Sequence, residues 1–315
     1  MEVFLQALEK MRGKKNLILC HDQADSDAIG AAYALFRYIG GDVGVPVSVA
    51  AHAKGLVHEL GITMIEQPPV HQYEHVIIVD AAHRAQLVDC IPTKYWVIDH
   101  HPANCLIDKA EGGYYELVSS TCQLVYRILR AAGVTIDRNI ALALAAGIMT
   151  DTIHFHKGDA ESFRIFGELL ACGNLTYEDI QRLYHVDNRR DRGAIIDTAL
   201  HAKKITFADY HILISEVALN IPTFAARALF DLGADISVVG YQQEDEVDIR
   251  MYIRNELALT LGIQAIDILR RISGADDRKV WGYQHFAGYR SKGDWKRLLQ
   301  EIVNELEHDL TVTKS

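Results

Sequence analysis

Val97-Ile98-Asp99-His100-His101 is the stretch on which the reading of this chain turns. A short apolar run ends abruptly in one carboxylate and two imidazoles. A strand interior has no use for that cluster, whereas open α/β sheets place their chemistry at the C-terminal ends of parallel strands. Two earlier stretches share the design. Leu17-Ile18-Leu19-Cys20 runs into His21, Asp25 and Asp27, and Val76-Ile77-Ile78-Val79 runs into Asp80. Three apolar strands emptying into acidic and histidine residues point to one shared metal site.

Around these stretches, the runs Val76–Val79 and Tyr95–Ile98 are continuously apolar, as in strands buried on both faces of a parallel sheet. Val3–Met11 has helical period. Ala28–Ile39 is apolar nearly all round, as expected of a helix lying on a sheet, and Gly40-Gly41 stops it. Further strands are expected at Val47–Ala51 and Thr63–Ile65, a short helix closing at His58–Leu60, and a helix over Ala82–Leu87. Alternating β and α elements argue for a doubly wound α/β domain with a mostly parallel sheet. Helices come next: one from a Ser119-Ser120-Thr121 cap to about Ala132, then Asn139–Thr150, Ala160–Cys172 and Tyr177–His185.

This first domain is expected to cover residues 1–187. The polar run Asn188-Arg189-Arg190-Asp191-Arg192 opens a solvated linker over 188–204, a reading preferred to a binding patch. A smaller α+β domain then fills 205–315. Its strands are expected at Tyr210–Val217, Ile236–Gln242 and Val247–Arg254, with Gln243–Glu246 as a hairpin loop. Its helices are expected at Phe224–Leu232, Ile263–Ile272 and Asp294–His308.

A chain of 315 residues suits two such domains. The net charge of −10, with His neutral, weighs against a face for long duplex nucleic acid. Anionic substrates stay open, because bound cations invert the local charge. The five cysteines, Cys20, Cys90, Cys105, Cys122 and Cys172, form no C-x-x-C and read as small buried hydrophobes in a reducing compartment. The N-terminus lacks a signal-peptide layout, and no apolar run approaches the ~20 residues of a membrane span. A cytoplasmic protein without a membrane partner is the expectation.

The candidate ligands are His21, Asp25, Asp27, Asp80, His100, His101 and Asp151, the last closing the apolar helix of Ala145–Thr152. Taken singly, each has a plainer reading. Asp25 or Asp27 could cap the helix at Ala28, Asp80 could cap the element after its strand, and a core histidine is usually just hydrogen-bonded. Taken together, four buried carboxylates with two or three histidines require counter-charge and match a two-metal site better than a structural zinc. Mixed imidazole and carboxylate donors suit Mn²⁺ better than Mg²⁺. Two divalent ions are expected, Mn²⁺ first, with Mg²⁺ or Co²⁺ as alternatives.

The same residues resemble the motifs of the DHH-superfamily phosphoesterases. Asp99-His100-His101 matches the naming motif, and His21-Asp22-Gln23-Ala24-Asp25-Ser26-Asp27 resembles the first motif. Asp80 resembles the second motif and Gly147-Ile148-Met149-Thr150-Asp151-Thr152 the fourth, with Ser119-Ser120-Thr121 as the hydroxyl run before it. The resemblance implies that His21 and Asp25 hold one metal, that Asp27, His100 and Asp151 hold the other, and that Asp80 bridges both. It further implies that Asp99 orients His100 from behind, that His101 faces the substrate phosphate as charge stabiliser or general acid, and that a hydroxide between the metals attacks phosphorus. Ala24 stands where the family usually has Pro, Ser26 where Gly is common, and Ile153 where Gly often comes after the fourth motif.

In this superfamily the C-terminal domain reads the substrate. The chain lacks the Ser-Arg-Lys-Lys run of family II inorganic pyrophosphatases. Met251-Tyr252-Ile253-Arg254-Asn255 resembles instead the Arg strand of the DHHA1 type found in nanoRNase, RecJ and phosphodiesterase branches, with Arg250 as a rival to Arg254. Gly282-Tyr283-Gln284-His285-Phe286-Ala287-Gly288 looks like an eroded Gly-Gly-Gly-His loop. Arg254, His285 and Gly288 are thus the substrate-binding candidates, and Arg254 could equally pair with Glu256 or Asp248. Tyr283 or Phe286 could stack a base, or simply pack in a core. The expected activity is metal-dependent phosphodiester or phosphate hydrolysis on short nucleotides: di- or oligonucleotides, linear cyclic-dinucleotide products, or pAp. The substrate would lie in a cleft between the domains, and a homodimer is allowed. The alternatives are an inorganic pyrophosphatase or exopolyphosphatase, and a nucleotide-binding regulatory protein with little catalysis.

Overall fold

Ile18 and Leu17 sit side by side in one strand yet serve different cores, and that division organises the first sheet. The computed structural model describes residues 1–184, 189–207, 209–274 and 279–312. The chain divides into two compact units, Met1–His185 and Val186–Ser315. The first begins with α1 (Glu2–Met11), β1 (Asn16–Leu19), β2 (Gln23–Ala24), α2 (Ser26–Ile39), β3 (Asp42–Val45) and β4 (Ser48–Val49). It continues with α3 (Lys54–Leu60), β5 (Met64–Glu66), β6 (His75–Val79), β7 (Trp96–Asp99) and β8 (Gly112–Tyr115). It closes with α4 (Thr121–Ala131), α5 (Arg138–Asp151), α6 (Ala160–Gly173) and α7 (Tyr177–Gln181).

The main sheet has the order β5-β3-β1-β6-β7-β8, and every neighbouring pair is parallel. The chain builds outward from β1 to one edge, then returns to the other side of β1 for β6. Strand order therefore reverses between β1 and β6, the position at which open α/β sheets form a crevice. Side chains alternate across the sheet. Ile18, Ile77, Val79 and Ile98 join the helical core, whereas Leu17, Leu19, Val76, Ile78 and Val97 pack with Leu87, Cys90, Tyr95 and Leu106 on the other face. Burial on both faces explains why these strands read as unbroken apolar runs.

Some expectations shift. The strand placed at Val47–Ala51 is instead β3, while Ser48–Val49 makes only a short ladder with β2. Ala82–Leu87 forms no α-helix, only a 3₁₀ turn over Arg84–Leu87. The edge strand β8 was hidden by Gly112-Gly113, which carry no strand signature. Cys105 and Cys172 are exposed, against the expectation that all five cysteines are core residues.

The second unit runs α8 (Arg189–Leu200), β9 (Lys203–Phe207), β10 (Tyr210–Glu216), α9 (Pro222–Asp231), β11 (Ile236–Gln243) and β12 (Glu246–Ile253). It ends with α10 (Asn255–Leu261), α11 (Ala265–Ile272), β13 (Val280–Tyr283), β14 (Phe286–Lys292) and α12 (Trp295–Val312). Its sheet has the order β13-β14-β12-β11-β10-β9, with β10–β11 parallel and the other pairs antiparallel. Asn188, where the linker was expected to open, lies outside the described residues. The next residues form α8, which belongs to the second unit: its Ala194, Ile195 and Ala199 pack on a core of Val217, Ala225, Ala226, Leu229 and Val239. Among the described residues no helix is long and apolar enough to cross a membrane.

In the first unit α2 crosses α5 at Gly30, where a Cβ would come 2.3 Å from the Ala143 carbonyl oxygen and 2.9 Å from Cys122 Sγ. Gly30→Ala gains about 1 kcal/mol of helix propensity. The clash is with backbone that cannot move alone, and overpacking of this kind costs about 1–3 kcal/mol. The substitution should therefore lower the urea midpoint of the first unit's transition. A raised midpoint would contradict this packing.

Candidate metal centre

The loop after β1 carries the first donors, and it is pinned before any ligand arrives. Ser48 N–H donates to the Asp22 carbonyl at 3.0 Å and Ala50 N–H to that of Ala24 at 2.9 Å. Asp25 is the N-cap of α2, its Oδ1 accepting from Asp27 N–H (2.9 Å) and Ala28 N–H (3.1 Å). The plainer reading of Asp25 is thus true, and it does not remove Asp25 from the cluster: the same oxygen lies 3.8 Å from His21 Nε2. Asp27 caps nothing in its own helix. Its carboxylate instead accepts the first N–H groups of α4, from Thr121 (2.6 Å) and Cys122 (2.9 Å). The Ser119-Ser120-Thr121 run now has a purpose. Ser120 caps α4, and the helix N-terminus it builds holds an anion.

Asp80 comes directly after β6 in a left-handed backbone (φ 57°). Non-glycine residues seldom adopt it, and such strain concentrates at functional sites. The turn lays the carboxylate between the two histidine clusters. Oδ2 is 3.9 Å from His21 Nε2, while Oδ1 is 3.6 Å from His100 Nε2 and 3.9 Å from His101 Nδ1. Thr121 Oγ1 donates to Oδ1 at 2.8 Å. Asp151, the last residue of α5, reaches within 3.3 Å of His100 Nε2. Three overlapping donor sets result: His21-Asp25-Asp80, Asp27-His100-Asp151 and Asp80-His100-His101. All seven candidate ligands converge.

The role expected of Asp99 needs a correction. It orients His101, not His100: Asp99 accepts His101 Nδ1 at 2.8 Å and His101 N–H at 3.1 Å. His100 is fixed by the Val118 carbonyl, 2.9 Å from its Nδ1, which turns Nε2 to the centre. Sequence reasoning missed Asn104, whose Nδ2 binds Asp99 Oδ2 (2.7 Å) and the Ala81 carbonyl (3.1 Å) and so ties the loops after β6 and β7 together. Gly147, quoted above only as part of the fourth motif, has a packing reason here: a Cβ would come 2.8 Å from Asp27 Oδ1. The glycine preference at Ile153 is explained as well: Ile153, His154 and Phe155 all have positive φ.

The electrostatics fit cations. Burial, reinforced by their acidic neighbours, holds Asp27 and Asp80 above the ordinary carboxylate range. Burial and the charges of Asp80 and Asp25 push Asp151 up to about 7. Asp25 falls below the usual range: burial opposes this, but His21 and the cap outweigh it. Burial likewise works against protonation of His101, yet Asp99 and Asp80 raise it to about 9. His100 Nε2 is buried without a hydrogen-bond partner, facing three carboxylates. An imidazole nitrogen so placed, among carboxylates that cannot all ionise unaided, suits a divalent metal ion.

The substrate candidates lie in the second unit. Arg254 does not reach Glu256 or Asp248. Its Nε and Nη2 donate to the Ala234 and Phe230 carbonyls (3.0 Å each), capping the end of α9. Arg250 is the strand arginine set opposite Gly288. It pairs with Asp248, donates to Thr223 Oγ1 at 3.0 Å, and stacks 4.7 Å from the Trp281 ring. The Trp281 indole lies across Gly288, within 2.5 Å of where a Cβ would be. The His285 carbonyl accepts from Ile253 N–H at 2.9 Å, closing the β13–β14 turn onto β12.

Residues 15–148 match the family model described as DHH family, N-terminal domain. Those residues carry a DHH family N-terminal domain. An uncharacterised protein of Methanocaldococcus jannaschii is 23% identical over 323 residues, 96% of this chain and 94% of the relative. A relative from Enterococcus faecalis, named a probable manganese-dependent inorganic pyrophosphatase, is 30% identical over 233 residues, 70% of this chain and 66% of its own length. The solved structure of an exopolyphosphatase-related protein from Bacteroides fragilis matches in fold, with TM-score 0.80 at 17% identity, over 100% of this chain and 98% of that one.

For this centre the pH dependence has a definite sign. Protons held by carboxylates of raised pKa stabilise the metal-free fold. That contribution is full below the unfolded-state pKa and is lost as pH rises through the folded value, about 7 for Asp151. A cation must displace the same protons, so Mn²⁺ affinity should climb through this range. The rise in Tm on adding Mn²⁺ is expected to be larger at about pH 8 than at about pH 5.5. Equal shifts at the two pH values would contradict the electrostatics.

Proposed function

We propose that the chain is a divalent-metal-dependent phosphoesterase acting on short nucleotides: di- or oligonucleotides, linear dinucleotides, or bisphosphorylated nucleosides such as pAp. The observation that carries this reading is Asp80, whose two oxygens face different histidine clusters. In this reading His21, Asp25 and Asp80 hold one ion, and Asp27, His100, Asp151 and Asp80 the other, with Mn²⁺ the best match to the mixed donors. Such ions, when bound, neutralise phosphate oxygens and lower the pKa of water.

The chain's own residues do the rest. Thr121 and Cys122 N–H hold Asp27 in place, so the donor geometry exists beforehand. His101 is 40% exposed in its side chain, and its Nδ1 is engaged by the Asp99 carboxylate, which favours the protonated ring. It is suited to meet a phosphate oxygen and to give a proton to the leaving alkoxide.

A nucleotide is favoured over bare phosphate by Trp281. Its ring is 39% exposed and flanked by the Arg250 and Arg290 guanidinium groups at 4.7 and 5.9 Å. An aromatic face beside positive charge suits a base with its phosphate. The second reading, pyrophosphate or polyphosphate hydrolysis, is favoured by the pyrophosphatase relative. Phosphate release from pyrophosphate, compared with turnover of pApA and pAp in Mn²⁺, separates the two.

Asp80→Ala should lower Mn²⁺-dependent turnover by more than about 100-fold, beyond what loss of an outer partner costs, with an unchanged circular dichroism spectrum. Unchanged turnover would remove Asp80 from the chemistry. Trp281→Ala should raise KM for pApA by about 5-fold or more, since stacking contributes about 1–3 kcal/mol per base. An unaltered KM would exclude Trp281 from base recognition.

A further inference from the structure

Outside the metal centre, Cys105 Sγ and His83 Nδ1 stand at hydrogen-bond distance, 2.9 Å apart. Both residues are exposed. A surface cysteine near a histidine is commonly a chance meeting of mobile groups. Here both backbones are fixed. Ala82 N–H and His83 N–H both donate to Gln86 Oε1 at 2.9 Å. Cys105 N–H donates to the Ala82 carbonyl at 2.9 Å. The next residue back, Asn104, is anchored through its Oδ1, which accepts from Leu106 N–H (2.6 Å) and Ile107 N–H (3.0 Å). The pair therefore bridges the loops after β6 and β7 in a set geometry. Cys20, Cys90 and Cys122 are buried and closed to reagents, leaving Cys172 as the other exposed thiol.

We propose that Cys105 is an oxidant-sensitive thiol, activated by His83 and linked to the metal centre through Asn104. A thiol beside a base, open to solvent, is the arrangement that gives a nucleophilic sulfur. The co-reactant is a hydroperoxide. His83 Nδ1 takes the Sγ proton, and the sulfur attacks the terminal peroxide oxygen. An S–O bond forms and the O–O bond breaks. Sulfur is oxidised by two electrons, the peroxide is reduced by two, and the leaving hydroxide or alkoxide takes the proton from His83 and departs as water or alcohol. The product is a sulfenic acid at Cys105.

The added oxygen must be housed beside the Ala82 carbonyl, which Cys105 Sγ contacts at 3.4 Å. Asn104, one residue away, binds both the Ala81 carbonyl and Asp99, and Asp99 holds His101. Oxidation should thus displace His101 without removing any carboxylate donor, and lower turnover. Only this last consequence rests on the proposed phosphoesterase activity.

The test treats the full-length, Mn²⁺-loaded protein with hydrogen peroxide in the presence of dimedone and maps adducts by peptide mass spectrometry. The adduct should form at Cys105 at least 10-fold faster than at Cys172, and His83→Ala should slow it by 10-fold or more. Equal labelling of the two cysteines, or an unchanged rate in His83→Ala, would overturn the thiol assignment whether or not the protein turns over any nucleotide. In parallel, peroxide should reduce hydrolysis of pApA by the wild type and spare Cys105→Ser. Equal loss in both would overturn the link through Asn104.

Discussion

Four aspartates that crowd one another at a largely buried site cannot all be anionic unless cations join them. Asp25, Asp27, Asp80 and Asp151 meet this constraint at the reversal point of the parallel sheet. Burial pushes three of them towards the protonated form. The exposed Lys157 acts on Asp151, while the protein places imidazole nitrogens among the carboxylates, those of His21 and His100, the donor type that shares a metal ion with them. The arrangement is a liability to the metal-free fold and an asset to a metal-bound one.

Much of the first unit serves to hold that arrangement. The α4 N-terminus grips Asp27, the left-handed turn at Asp80 aims its carboxylate, and Gly147 lets α5 lie close enough to leave room for Asp27. Asn104 and Asp99 form a chain that ends on His101. These supports act through backbone groups and short side chains, which keeps the donors positioned with little entropy left to lose when an ion binds.

The strand ends were legible because physics forces the pattern: strands buried on both faces must be apolar throughout, so charge appearing at 80 and 99–101 marks where each one leaves the sheet. The weak strands were not legible. Asp42–Val45 and Gly112–Tyr115 carry glycines and occupy places that the sheet, rather than local propensity, dictates. The donor set was readable from composition at the strand ends, but which group orients which histidine was not. Asp99 lies directly before His100 in sequence, yet its carboxylate folds forward onto His101, and the partner of His100 is a backbone carbonyl, Val118, which no side-chain pattern announces. In the second unit the Arg strand was legible and its register was not. Pairing with β14 sets Arg250, two residues on from Asp248, opposite Gly288, while Arg254 falls beyond the strand end and caps a helix.

The proposed two-ion centre depends on one carboxylate, that of Asp80, serving both cations. Anomalous diffraction at the manganese absorption edge, on crystals grown with Mn²⁺, tests that directly. Two peaks are expected, one on each side of the Asp80 carboxylate, the first against His21 and Asp25 and the second against Asp27, His100 and Asp151. A single peak, or a pair that does not touch Asp80, would contradict it.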